Sequence, residues 1–146
     1  MDSARHIALI DELCSRLSGT EHGSSRGVGG TDADGVTVLR GSHGLRGGDP
    51  AERATTVERY EWQRDALAGL LTPRWGEAGL LNLQTVLLRG AHEEIPEPWA
   101  ALSVRARVAY VWQVPESGGW AAVAVADRDE EDEVQLLAAV TATDPP

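Results

Sequence analysis

Six carboxylates crowd seven consecutive positions late in the chain: Asp127, Asp129, Glu130, Glu131, Asp132 and Glu133, with Arg128 alone between them. Oxygen ligands at this density raise metal binding as the first chemistry to test. A hard cation needs carboxylates that converge from a sharp Gly-containing turn, in Asp-x-Asp-x-Asp-Gly spacing with a distal Glu. The run has neither the Gly nor the spacing, so no metal is expected here. Two readings remain: a solvated turn between buried segments, and a contact surface for a basic protein.

Other chemistry-bearing residues are scattered. "TDADG" at 31 to 35 begins like a calcium loop but lacks the third Asp and the distal carboxylate. "GVGG" at 27 to 30 has Asp32 where a dinucleotide fingerprint needs its third Gly, and it follows no strand. Ser42 and His43 are adjacent, which points their side chains apart in extended chain, and Arg40 breaks the Gly-x-Ser-x-Gly elbow. Glu93 and Glu94, beside His92, could act as an acid–base pair, but nothing in the spacing places them on rigid elements. The histidines His6, His22, His43 and His92 show no ligand spacing, and His6 reads as a helix-surface residue.

Composition removes whole classes of function. All 13 basic residues are Arg, so a P-loop and a Schiff-base lysine are both excluded. Cys14 is the single cysteine, which excludes thiolate zinc sites, a Cys-x-x-Cys pair and an internal disulfide, and fits a reducing compartment. A formal charge of −10 argues against nucleic acid and anionic membranes as partners. The N-terminal segment has no continuous apolar stretch of the kind a secretory signal needs, and no apolar run is long enough to span a membrane. The expectation is a cytoplasmic protein.

These residues need a frame to hold them. Ile10, Leu13, Cys14 and Leu17 repeat at helical spacing, predicting an N-terminal helix over 1–18 that Gly19 ends. Residues 19–48 hold ten of the 16 glycines and read as a loop or linker, with one short strand at 35 to 41. Asp49, Pro50 and Glu52 start a second helix, which Pro73 should stop. Along it Val57, Tyr60, Arg64, Leu67 and Leu71 share one side; Trp62 lies off that side and is expected at the surface.

"LLNLQTVLLRG" suits a strand on alternation, and "IPEPWAALS" a turn into a short helix. "RVAYVWQV" and "WAAVAVA", joined by "PESGG", read as a hairpin. The closing "VQLLAAVTATDPP" fits either a fourth strand or a helix capped by Asp127. Its β-branched residues favour the strand.

"RWG", "IPEPWAALS", "YVWQV" and "QLLAAVTATDPP" resemble segments of small uncharacterised cytosolic proteins of streptomycetes and related actinobacteria, over residues 50 to 146. The resemblance implies an actinobacterial host and a cytosolic α+β domain, and carries over no catalytic residue.

The expected architecture is therefore α+β: an antiparallel sheet of about four strands with two longer helices packed on one face, in one domain whose core is 49–146. The expected function is that of a non-enzymatic acidic interaction domain, immunity- or antitoxin-like, that takes no cofactor. It would bind a basic protein through Asp127, Asp129, Glu130, Glu131, Asp132, Glu133 and Trp62. The alternative is a small-molecule-binding domain or enzyme with a Trp-lined pocket that draws on His92, Glu93, Glu94 or the Arg side chains. A homodimer formed through a sheet edge is a third reading.

Overall fold

The computed structural model describes residues 2–18, 35–45, 48–129 and 132–146. The elements follow in the order α1 (Asp2–Ser18), β1 (Thr37–Gly41), α2 (Pro50–Trp75), β2 (Gly79–Asn82), α3 (Leu83–Arg89), α4 (Trp99–Arg105), β3 (Ala106–Gln113), β4 (Trp120–Ala126) and β5 (Gln135–Thr141). The five strands form one antiparallel sheet in the order β1-β5-β4-β3-β2. Glu130 and Glu131, most of the Gly-rich stretch, and the "GVGG" and Asp-Ala-Asp segments lie outside the described residues.

The central strands explain the layering. Every residue of β4 from Ala121 to Ala126 is buried, so both faces of the sheet are covered. On one face Val123, Val125, Leu136 and Ala138 meet Ile10 of α1 and Tyr60, Leu67 and Leu71 of α2. These are the two longer helices, together on one side as expected. On the other face Ala122, Ala124, Ala126 and Ala139 meet Leu83 and Val86 of α3 and Trp99 and Leu102 of α4. An alanine floor on this side leaves room for the Trp99 indole, so large and small side chains alternate across the layer.

Buried indoles keep their donors satisfied. Trp99 Nε1 donates to the Thr143 carbonyl at 3.0 Å and Trp112 Nε1 to the Gly76 carbonyl at 3.1 Å. The first ties the C-terminal tail onto α4, and the second ties the end of α2 to β3.

Three expectations need correction. The strand expected across residues 81 to 87 stops at Asn82, whose side-chain oxygen accepts from the backbone N–H groups of Gln84 (2.9 Å) and Thr85 (3.3 Å) and so caps α3. Leu83 and Val86 are buried at helical spacing, and that period overrides the alternation of Leu81, Leu83 and Leu87.

Pro73 does not stop the second helix, which runs on to Trp75. Its last turn is held from outside by the Arg74–Asp11 ion pair at 2.5 Å and by Trp75 packed edge-to-face on Trp112 at 6.0 Å. His6 is buried rather than superficial, because it stands one turn before Ile10 on the same inward stripe. The short strand at 35 to 41 is β1, and it supplies the fifth strand by pairing with β5.

Leu67 is fully buried beneath α2. Leu67→Ala is expected to cost about 2–5 kcal/mol in urea unfolding, and Asn82→Ala, which loses the α3 cap, about 1 kcal/mol.

Candidate functional site

The acidic run occupies the turn that joins β4 to β5. Irregular backbone there leaves carbonyls that the sheet ladder does not use, and two arginines reach them or their neighbours from opposite layers. Arg53, at the start of α2, donates from Nη1 to the Asp132 carbonyl (2.5 Å) and from Nη2 to the carbonyls of Asp129 (2.7 Å) and Asp127 (3.2 Å). Arg128 turns the other way. Its Nε donates to the Ser103 carbonyl (3.0 Å), its Nη1 to Gln84 Oε1 (2.8 Å) and its Nη2 to the Ala106 carbonyl (2.9 Å).

The turn is thus stapled to α2 on one side and to α3 and α4 on the other. A guanidinium fork suits this work because it presents several donors in one rigid plane, which an ammonium cannot do.

Glu133 has an internal task. Its carboxylate accepts the Ser42 hydroxyl at 2.7 Å and the Leu45 N–H at 3.2 and 3.1 Å. Ser42 in turn receives the Val134 N–H on its Oγ at 2.9 Å and donates its own N–H to the Val134 carbonyl at 2.9 Å. Glu133 therefore organises the segment between β1 and α2. The Ser42–His43 pair does not assemble as nucleophile and base, since the hydroxyl donates to Glu133 and His43 is exposed.

Asp132 Oδ1 accepts the Glu133 N–H at 2.7 Å, while Asp129 is exposed and Asp127 half-buried. Of the six carboxylates named from sequence, Glu133 and Asp132 shape the turn.

Trp62 is 75% exposed, as expected from its position off the core stripe of α2. It follows Arg53 by nine residues, roughly 13 Å along the helix axis at 1.5 Å per residue. The structure therefore places it on the same helix that seats the acidic turn, without bringing it into the turn itself. Sequence reasoning missed Arg53 and Arg128. Neither carries a local signal, and only the fold brings α2 and α4 to the same turn.

Two concavities offer room for a small molecule. One of about 520 Å³ lies between α1, the end of α2 and the β3–β4 loop, lined by Asp11, Cys14, Arg74, Trp75 and Glu116. Burial above all, with Asp11 adding to it, pushes the Cys14 thiol up to about 11, which makes it a poor nucleophile. The other, of about 440 Å³, is lined by Arg40, His43, Glu52, Thr55, Arg59 and Tyr60, with the Arg40 guanidinium 5.5 Å from the centre of the Tyr60 ring.

Neither concavity is lined by His92, Glu93 or Glu94. Those residues are exposed on the turn after α3, where Glu93 takes two bonds from Arg89 at 2.9 and 3.1 Å, and that pairing holds its carboxyl below the ordinary range. Trp99 and Trp112 are core residues, and Trp75 lines the first concavity. Among the described residues no cluster of three His, Cys, Asp or Glu could hold a metal, and no helix is long and apolar enough to cross a membrane.

No family model, curated protein or solved structure matches the chain.

Two outcomes are expected. Glu133→Ala strands the Leu45 N–H and the Ser42 hydroxyl and should lower unfolding free energy by roughly 1–2 kcal/mol, with Glu133→Gln losing less. For Cys14, a folded-state value of about 11 against an ordinary 9.0 implies about 100-fold less thiolate at pH 8 than in the unfolded chain. Iodoacetamide should alkylate it correspondingly slowly until denaturant is added. The unfolded chain releases this proton first, so stability should fall as pH rises from 9.0 toward about 11.

Proposed function

We propose that this chain is a non-enzymatic, acidic protein-binding domain whose partner is a basic protein, in the manner of an immunity or antitoxin protein. The observation that carries the reading is the division of labour among charges at the β4–β5 turn. Arg53 and Arg128 are occupied by backbone carbonyls and Gln84, while Asp127 and Asp129 lie on backbone that those bonds hold in place. A preordered loop loses less conformational entropy on binding than a free one, and its carboxylates steer a positively charged partner at long range.

The net charge of −10 supports the same choice of partner, and the exposed indole of Trp62 adds a residue type enriched at binding hot spots. Among the described residues of the expected surface, Glu133 and Asp132 carry internal bonds as well, and Asp129 and Trp62 are exposed.

The test is affinity capture from an actinobacterial lysate with the native chain and with a double variant, Asp127→Asn and Asp129→Asn, followed by kinetics on the recovered protein. A basic protein is expected. Its association rate should fall about tenfold in the variant at low salt and converge with the native rate at high salt. Capture that ignores both salt and the two carboxylates contradicts the proposal.

A further inference from the structure

α2 carries a second apolar stripe that faces away from the sheet. Its inward stripe is Thr56, Tyr60, Leu67 and Leu71, all buried. On the opposite side Trp62, Ala66, Gly69, Leu70 and Pro73 recur at i, i+4, i+7, i+8 and i+11, the spacing of a helix face that packs on something, and all five are exposed. Trp62 and Leu70 are large at 75% and 48% exposure; Ala66 and Gly69 between them are small, and a Cβ built on Gly69 would meet nothing within 4 Å. Two anchors flanking a shallow, small-residue saddle match the shape of another helix laid across them.

Charge decides what that helix would be. Three of the arginines of α2 are turned onto the protein: Arg53 onto the carbonyls of the acidic turn, Arg64 onto the Tyr110 ring (4.4 Å) and Asp65, and Arg74 onto Asp11 and the Trp75 ring. Glu58, Glu61 and Asp65 border the stripe on one side, Asp65 also accepting from Tyr110 and Arg64, while Arg59, three residues before Trp62, falls on the N-terminal end of the stripe itself. A second copy docked antiparallel about a two-fold axis would set this acidic border against its own mate, which is repulsive. An anionic lipid surface meets the same objection.

We propose that the outer face of α2 is a docking site for a basic amphipathic helix, with Trp62 and Leu70 as anchors and Glu58, Glu61 and Asp65 as the complementary rim. This rests on the reading of the chain as a binder of basic proteins and names the element of the partner that is bound. The surface was readable in sequence at helical spacing, but Trp62 alone drew notice there because the small residues carry no individual signal.

The probe is a synthetic 18-residue peptide of Leu and Lys with Leu at i, i+3, i+4 and i+7 spacing, compared with a scrambled peptide of the same composition and with a Leu–Glu version. Binding is followed by Trp emission, with Trp62→Phe as the reference, and by peptide helicity. The native chain should bind the Leu–Lys helix at least tenfold more tightly than the scrambled peptide, with a blue shift that Trp62→Phe removes.

Leu70→Glu should weaken binding at least tenfold, and the pair Glu58→Gln with Glu61→Gln should weaken it several-fold at low salt. Both variants are superficial and should keep the native melting temperature within a few degrees, which separates lost docking from lost folding. Equal affinity for the scrambled peptide, or native affinity in Leu70→Glu, overturns the proposal. So does self-association, or binding to phosphatidylglycerol vesicles, that Leu70→Glu abolishes. Peptide binding lost in the Asp127→Asn/Asp129→Asn variant yet kept in Leu70→Glu also overturns the α2 site while sparing the basic-partner reading. No binding of any cationic peptide sinks both.

Discussion

The arrangement depends on how one irregular turn satisfies its backbone. Between β4 and β5, the two most buried strands, the chain leaves the ladder for about eight residues and must find donors for carbonyls that no strand partner supplies. Arg53 provides three such bonds from the α2 layer, and Arg128 anchors the same turn to the α3–α4 layer. Because hydrogen bonds from a charged donor contribute more than neutral ones, roughly 1.5–3 kcal/mol each, these two side chains couple both helical layers to the hairpin between them. In a chain with no Lys, every cation is a planar fork, and this fold uses the forks as internal brackets.

That use of arginine links stability to surface chemistry. Guanidiniums that face carbonyls and aromatic rings project less positive charge outward, so the border of α2 and the β4–β5 turn present carboxylates. The sheet beneath is equally specialised. An alanine face admits the Trp99 indole, and a valine face receives Leu67, Leu71 and Tyr60, so each helical layer has one register in which its large residues fit. Rigid packing under α2 and rigid stapling beside it leave the exposed features of that side on a fixed scaffold.

How much of this could be read from the residues alone depends on the range of the interaction concerned. Periodicity placed α1, the β3–β4 hairpin and the position of Trp62, and the capping residues Asp49, Pro50 and Glu52 placed the start of α2, because each depends on neighbours within a few residues. The preference for a strand at the C-terminus also held, since β-branched Val140 and Thr141 sit on β5 against β4. Asn82 misled because alternation and a helix cap overlap in "LLNLQTVLL", and only burial of Leu83 with Val86 separates them.

Pro73 misled because tertiary contacts at Arg74 and Trp75 outweigh a local breaker. The acidic run was visible as charge. The structural roles of Glu133 and of the backbone at Asp127 and Asp132 depend on Ser42, Leu45 and Arg53, which lie 74 or more residues away in sequence for every bond concerned.

The central claim is that Arg53 holds the acidic turn in shape through its backbone. Its most direct test is residue-resolved amide hydrogen exchange on Arg53→Lys against the native chain. An ammonium can replace only part of the fork, so Asp132, Val134 and Leu45 should exchange at least tenfold faster while Ala122 and Ala139 in the sheet keep their protection. Unchanged protection around the turn, or a loss spread evenly over the sheet, would contradict it: the turn would then be shaped without Arg53, or Arg53 would act on the whole fold rather than on the surface it supports.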